Sequence, residues 1–254
     1  MFADLELARR LESTEGFAGA SFIEARGGDA VSERIGGAYA MFDGAGSPLT
    51  QTFCLGMFEP ATGSVLTQVE EFFQTCGATV DHEVSPLAGV ALLHALVSRG
   101  YVPFELSSVL FLELAEQRTD PALNAALSIR VAAEPDHGVY AKAASEGWGG
   151  IGDLAEMMTR AAGYVGFMVE KGGRVMATAG LVIHERVALF AGASTIPDAR
   201  GQGAQTAVLA ARLRYAAEHG CDLAMIVTEP GGASQRNAER NGFRVAYTRT
   251  KWRL

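Results

Sequence analysis

The segment Ile196-Pro197-Asp198-Ala199-Arg200-Gly201-Gln202-Gly203-Ala204-Gln205-Thr206 runs into an Ala-rich helical stretch over Ala207 to His219. Its residue types suit an anion. Gly201 and Gly203 allow the backbone to approach a ligand with no side chain in the way. The first N–H groups of a helix have no intrahelical acceptor, and the helix dipole favours negative charge beside them. A pyrophosphate is a fitting guest. Two other phosphate loops are excluded by spacing. A dinucleotide-binding turn places GxGxxG directly after its strand, whereas here Thr206 takes the third position and Pro197 to Arg200 intervene. A P-loop ends in Gly-Lys-Ser/Thr, which this segment lacks.

The elements that must hold the loop are legible around it. Ala126 to Val131 alternates like a strand, and Asp136 to Ala144 reads as a short helix followed by a Gly/Trp-rich loop over Gly147 to Gly152. Asp153 to Ala162 is expected to be helical. Tyr164 to Glu170, Arg174 to His184 and Val187 to Thr195 are strand-like runs joined by Lys171-Gly172-Gly173 and Glu185-Arg186, so they are antiparallel hairpins. In the helix after the loop, Leu209 and Leu213 share a face, and Gly220 is its stop. Asp222 to Thr228 is a buried strand, Ser234 to Arg240 a short helix ended by Asn241-Gly242, and Phe243 to Arg253 the final strand.

Composition narrows the classes of function. The chain has 254 residues, 48% hydrophobic and 20% charged, enough for a large core or two domains. A net charge of −8 argues against binding nucleic acid, which needs a basic face. No run of about 18 apolar residues suggests a membrane span, and Asp4 and Glu6 open the chain where a secretory signal would be basic and apolar. Cys54, Cys76 and Cys221 form no CxxC pair, and the five histidines show no metal-ligand spacing. The cysteines read as core fillers and the histidines as surface or helix-end groups, with no metal site, in a reducing cytoplasm.

Charge is shared unevenly: residues 1–125 carry six Arg, no Lys and 17 Asp and Glu, while 126–254 carry 15 basic and 12 acidic residues. The second part is therefore the better place for an anionic ligand. The polar segment Glu113 to Pro121, ending in Asp-Pro, marks a boundary, with domains expected at 1–120 and 126–254.

Arg200-Gly201-Gln202-Gly203-Ala204 resembles the Arg/Gln-x-x-Gly-x-Gly/Ala motif of the GNAT acetyltransferase superfamily, with Gln205 where a second glycine is usual. Pro197, Ser234 on its short helix and Gly242-Phe243 opening the last strand fit as well. The resemblance covers residues 126–254 and implies an α/β fold using acetyl-CoA to acetylate a small-molecule or peptide amine. By this likeness, backbone at Ala193, Ser194 and Thr195 would pair with the pantetheine arm. Arg200 and the amides of Gly201, Gln202, Gly203, Ala204, Gln205 and Thr206 would cradle the pyrophosphate, with Ser234 and Asn237 touching the cofactor. Many relatives carry an acidic Tyr four residues before Gly-Phe, where this chain has Ala238. Tyr247 is the candidate substitute and Glu229 the candidate base, while Ala188-Leu189-Phe190 offers no strand carboxylate. A catalytically silent acyl-CoA-binding or regulatory module is the alternative.

A shift of 142 residues lays Gly242-Phe243 on Gly100-Tyr101, the helix before it on Ala91 to Arg99, the strand Asp222 to Thr228 on Val80 to Pro86, and the Ala-rich helix on Gly63 to Phe73. The expectation is two mixed-sheet domains of this kind, the N-terminal one truncated and degenerate. Its counterpart of the anion loop is Phe58-Glu59-Pro60-Ala61-Thr62-Gly63-Ser64, where Glu59 would repel a phosphate and Pro60 removes a donor.

Overall fold

The computed structural model describes residues 2–114, 124–150 and 152–254. The expected boundary at 115–126 lies largely outside them. By packing, the chain forms two compact units, Met1–Leu112 with Met225–Leu254, and Glu113–Ala224. The last 30 residues thus pack with the first unit, although they follow the second in sequence.

The first unit opens with α1 (Leu5–Arg26), capped by Asp4, whose Oδ1 accepts from Leu7 N at 2.9 Å. Strands β1 (Val31–Ile35), β2 (Ala38–Phe42) and β3 (Gln51–Phe53) follow, then α2 (Gly63–Thr75), β4 (Asp81–Val84), α3 (Val90–Ser98) and β5 (Val102–Glu113). The tail contributes most of β10 (Leu223–Thr228), then α7 (Ala233–Arg240) and β11 (Arg244–Arg253). The sheet order is β1-β2-β3-β4-β11-β5-β10. Strands β1 to β3 form an antiparallel meander, β3 runs parallel to β4, and β11 is antiparallel to both β4 and β5. Gly16 and Gly19 let α1 lie close on β2, since a Cβ on either would strike Tyr39 or Met41. Ile35, Leu66, Phe73, Leu92, Leu96 and Trp252 form one apolar core beneath α2 and α3. In the β5–β11 pair Ser107 lies opposite Arg249, so two positions 142 residues apart face each other at the centre of an antiparallel ladder.

The second unit holds β6 (Ser128–Val131), α4 (His137–Trp148), α5 (Gly152–Arg160), β7 (Tyr164–Lys171), β8 (Arg174–His184), β9 (Val187–Thr195) and α6 (Ala204–Glu218). Strands β9-β8-β7-β6 form an antiparallel sheet. The β8–β9 turn puts both Glu185 and Arg186 at positive φ, the geometry of a tight hairpin. The expected hairpins are all present. Helix α4 runs on to Trp148 and stops at the left-handed Gly149, where a loop from Gly147 was expected. The helix begun at Leu5 and the first three strands were not anticipated.

One expectation about histidine fails. His82 is fully buried on β4, with Nδ1 2.6 Å from Thr52 Oγ1 and its ring stacked on Tyr101. Burial pulls its pKa down to about 3, so it is a neutral core residue. Cys54 and Cys221 are buried, and all three cysteines are free. Among the described residues no His, Cys, Asp and Glu cluster suits a metal ion, and no helix is long and apolar enough to cross a membrane.

Candidate functional site

In the second unit the loop is built as a turn and an abrupt helix start. Pro197–Ala199 make one tight helical turn, Arg200 returns to extended backbone, and Gly201 and Gly203 take φ of +75° and +84°. These angles favour glycine. Helix α6 begins at Ala204, three residues earlier than expected, and no side chain caps it. Among the described residues nothing accepts from the backbone N–H of Gly201, Gln202, Gly203, Ala204, Gln205 or Thr206. A Cβ on Gly201 or Gly203 would meet open space. The outcome is a row of undirected donors at a positive dipole end, facing space a ligand can fill.

Side chains frame this row. Arg200 is exposed and makes no ion pair among the described residues, which leaves it for an anion. Lys171 Nζ donates to Gln202 Oε1 at 2.9 Å, Asn124 Nδ2 donates to Gln202 O at 3.3 Å, and Arg174 holds Asp198 through two contacts of 2.9 and 3.0 Å. Gln205, in place of the expected glycine, donates through Nε2 to Ser194 O at 3.1 Å and to Thr195 Oγ1 at 2.7 Å. The substitution therefore ties the helix start to β9.

Strand β9 is irregular where the sequence placed backbone binding. Thr178 pairs with Ser194, but Gly180 pairs with Ala191, so Gly192 and Ala193 together oppose Ala179. This is a bulge, and Gly192 has φ +65°. Ala193 is exposed, and its carbonyl accepts from Trp148 Nε1 at 3.2 Å. Ser194 is buried, with Oγ 2.9 Å from Thr178 Oγ1. The carbonyls of Ala193 and Ser194 thus already have protein donors. Trp148, expected in a Gly-rich loop, anchors the bulge from the end of α4.

Beneath the bulge lie the Tyr140 and Tyr164 hydroxyls, 2.6 Å apart. A Cβ on Gly192 would sit 3.0 Å from the Tyr164 hydroxyl. Burial pushes the Tyr140 pKa to about 12 and that of Tyr164 well above its ordinary value, so both stay protonated. Arg212 of α6 donates to Gly180 O at 3.1 Å and lies 4.6 Å over the Phe190 ring, and burial lowers its pKa to about 10. None of these supports was foreseen. A glycine inside the apolar strand Val187 to Thr195 is the available signal, because such a glycine marks a bulge.

The remaining predicted site residues belong to the first unit. Ser234 and Asn237 lie on α7, Ser234 exposed and Asn237 half-buried, with Asn237 O accepting from Asn241 Nδ2 at 2.8 Å. Glu229 is exposed just past β10, with no cation against it among the described residues. Tyr247 is buried on β11, and its hydroxyl donates to Glu12 Oε1 at 2.9 Å. Burial and the neighbouring Glu12 raise the Tyr247 pKa well above its ordinary value. The structure places this phenol in a sealed network beneath α1, not on an open surface.

That network was also unforeseen. Arg249 is fully buried and reaches Glu15 at 2.6 Å, Glu83 at 3.0 Å and Glu12 at 3.4 Å, while Ser107 Oγ donates to Glu83. Three carboxylates around one guanidinium leave negative charge uncompensated, and burial raises the Glu12 pKa to about 7.

The acetyltransferase (GNAT) family model matches residues 128–243. The chain is similar in structure to a GCN5-related N-acetyltransferase from Kribbella flavida, with 18% identity, 94% of each chain covered and a TM-score of 0.68. A GCN5-related N-acetyltransferase from Sphaerobacter thermophilus gives 16% identity over 80% of this chain and 71% of that one, with a TM-score of 0.64. A tandem GNAT protein from the clavulanic acid biosynthesis pathway gives 14% identity over 87% and 78%, with a TM-score of 0.65. At these identities the likeness is one of fold. No curated protein matches the chain by sequence.

Proposed function

We propose, from the match of residues 128–243 to the acetyltransferase (GNAT) family model, that the chain transfers an acetyl group from acetyl-CoA to an amine. The observation that carries this reading is the uncapped start of α6, with its free amides and the open space before Gly201 and Gly203. These features fit a pyrophosphate: the amides have no acceptor among the described residues, the dipole end is positive, and Arg200 adds a cation. Gly201 to Thr206 and Arg200 would hold it. The bulge takes Gly192 and Ala193 out of the β8 ladder, while Ser194 and Thr195 stay paired with Thr178 and Ala177; backbone of Ala193, Ser194 and Thr195 on the edge away from β8 would meet the pantetheine arm.

When bound, acetyl-CoA supplies a thioester whose acetyl group a neutral amine can take. The protein's part is to position and to move protons. Backbone N–H groups at the Gly192–Ala193 bulge steady the developing oxyanion. Trp148, Tyr164 and Tyr140 hold that bulge in place. Glu229 is the carboxylate proposed to receive the amine proton, directly or through water. Residues 1–120 are proposed to be a degenerate copy that binds no CoA. The facing of Ser107 and Arg249 and the recurrence of elements at the same spacing support that reading.

One observation favours a silent acyl-CoA-binding module. Tyr247 is committed to Glu12 and Ala238 has no acidic group, so neither position offers an open phenol. Release of CoA thiol with an amine mixture separates the two. A transferase releases thiol in proportion to amine, and Glu229→Gln slows that release by about 10²-fold. Thiol release no faster than background hydrolysis would leave only the binding module.

A further inference from the structure

A groove of about 730 Å³ opens in the first unit, with Phe104, Leu106, Pro230 and Trp252 among its walls and Glu105 and Glu229 beside them. Its size is that of a small-molecule site. Phe104 and Leu106 are 42% and 51% exposed although both are large and apolar. The two side chains lie side by side in the lining of this open groove. The β5–β11 ladder is also broken here. Lys251 pairs with Glu105 and Trp252 with Pro103, so Phe104 is an extra residue that bends the strand at the groove wall.

Charge identifies the occupant. Glu105 is neutralised by Lys251 Nζ at 3.1 Å, whereas Glu229 has no cation against it among the described residues. Arg253 lies 4.3 Å over the Phe104 ring but is held by Asp81 at 2.7 Å, so Glu229 is the carboxylate of the lining that has no counter-ion among the described residues. We infer that it binds an ammonium ion carried on an apolar alkyl or aryl body, Glu229 meeting the cation and Phe104 and Leu106 the body. The inference rests on the acetyltransferase reading only in making this amine the acetyl acceptor. The binding itself needs no cofactor.

The full chain would be titrated at pH 7 with phenethylamine, 2-phenylethanol and 3-phenylpropanoate, which share a body and differ in charge. The ammonium should bind at least about fivefold more tightly than the alcohol, and the carboxylate not measurably. Glu229→Gln should erase that preference, and Leu106→Lys should abolish amine binding; both side chains are exposed, so neither change burdens the fold. Equal affinity for amine and alcohol, or a preference that survives Glu229→Gln, would overturn the inference. So would a Leu106→Lys variant that keeps the amine, or one that instead dissociates a dimer in sedimentation, which assigns the groove to a second copy. A parallel acetyl-CoA titration keeps the two readings apart. Acetyl-CoA binding without amine binding removes the groove alone, and amine binding without acetyl-CoA binding removes the acetyltransferase reading alone.

Discussion

A shift of 142 residues lays α6 on α2, yet the N-termini of the two helices are finished in opposite ways. Thr62 caps α2: its Oγ1 accepts from Val65 N at 3.3 Å and lies 2.9 Å from Ser64 Oγ. Arg99 closes the same turn by donating to Gly63 O at 2.6 Å. Before it stand Glu59 and Pro60, a like charge for any phosphate and a residue without an N–H. Helix α6 has no such cap, two left-handed glycines, and an Arg200 with no ion pair among the described residues. The contrast extends to buried charge. The first unit turns Glu12, Glu15, Glu83 and Arg249 on one another, sealed from water. The start of α2 is closed by its own side chains, and the start of α6 leaves its amides without acceptors among the described residues. A helix start of the same fold can thus be structural or receptive according to a handful of residues.

Transplanting the closed version is the severest test of that contrast. Gly201→Glu with Gln202→Pro places the residue types of 59–60 before α6. Acetyl-CoA affinity should fall by about 10²-fold or more, seen as loss of the ligand-induced rise in Tm, with the far-UV spectrum unchanged. An unaltered Tm shift in that variant would break the comparison.

The sealed network gives a pH dependence of definite sign. The Glu12 pKa is raised from 4.5 to about 7, so the folded chain holds this proton more tightly than the unfolded one. Its contribution is fully present below pH 4.5 and is lost as pH rises through 7, by about 3 kcal/mol. Urea unfolding across pH 5 to 8 should show that loss in the wild type and a flatter profile in Glu12→Gln. A wild-type profile that rises over this range would contradict the assignment.

Smallest is the effect of the cap. Thr62→Ala should cost about 1 kcal/mol of stability in denaturant and leave acetyl-CoA affinity unchanged. A change in affinity would mean that α2 also takes part in binding.

The loop and its supporting strands were legible because their signals are local. Glycines at positions needing positive φ, short turns between alternating runs and a helix stop at Gly220 each act within a few residues. The network around Arg249 was not legible, because its members come from α1, β4, β5 and β11. The alternation Tyr247, Arg249, Lys251, Arg253 reads as a solvated face, and only the packing of α1 buries half of it. Trp148 was misread for a related reason. Its neighbouring glycines suggest a loop, whereas the indole bond to Ala193, 45 residues on, fixes it at a helix end. Helix α1 itself escaped notice since Gly16 and Gly19 weaken a helical pattern that tertiary packing on β2 rescues.

The central claim is that the open start of α6 holds a phosphorylated acyl donor. Calorimetric titration of acetyl-CoA into the wild type and into Gly203→Glu addresses it directly. One-to-one binding by the wild type and its loss in the variant are expected, because Gly203→Glu puts a carboxylate at the positive end of α6. Absence of binding by the wild type, or equal binding by both, would contradict it.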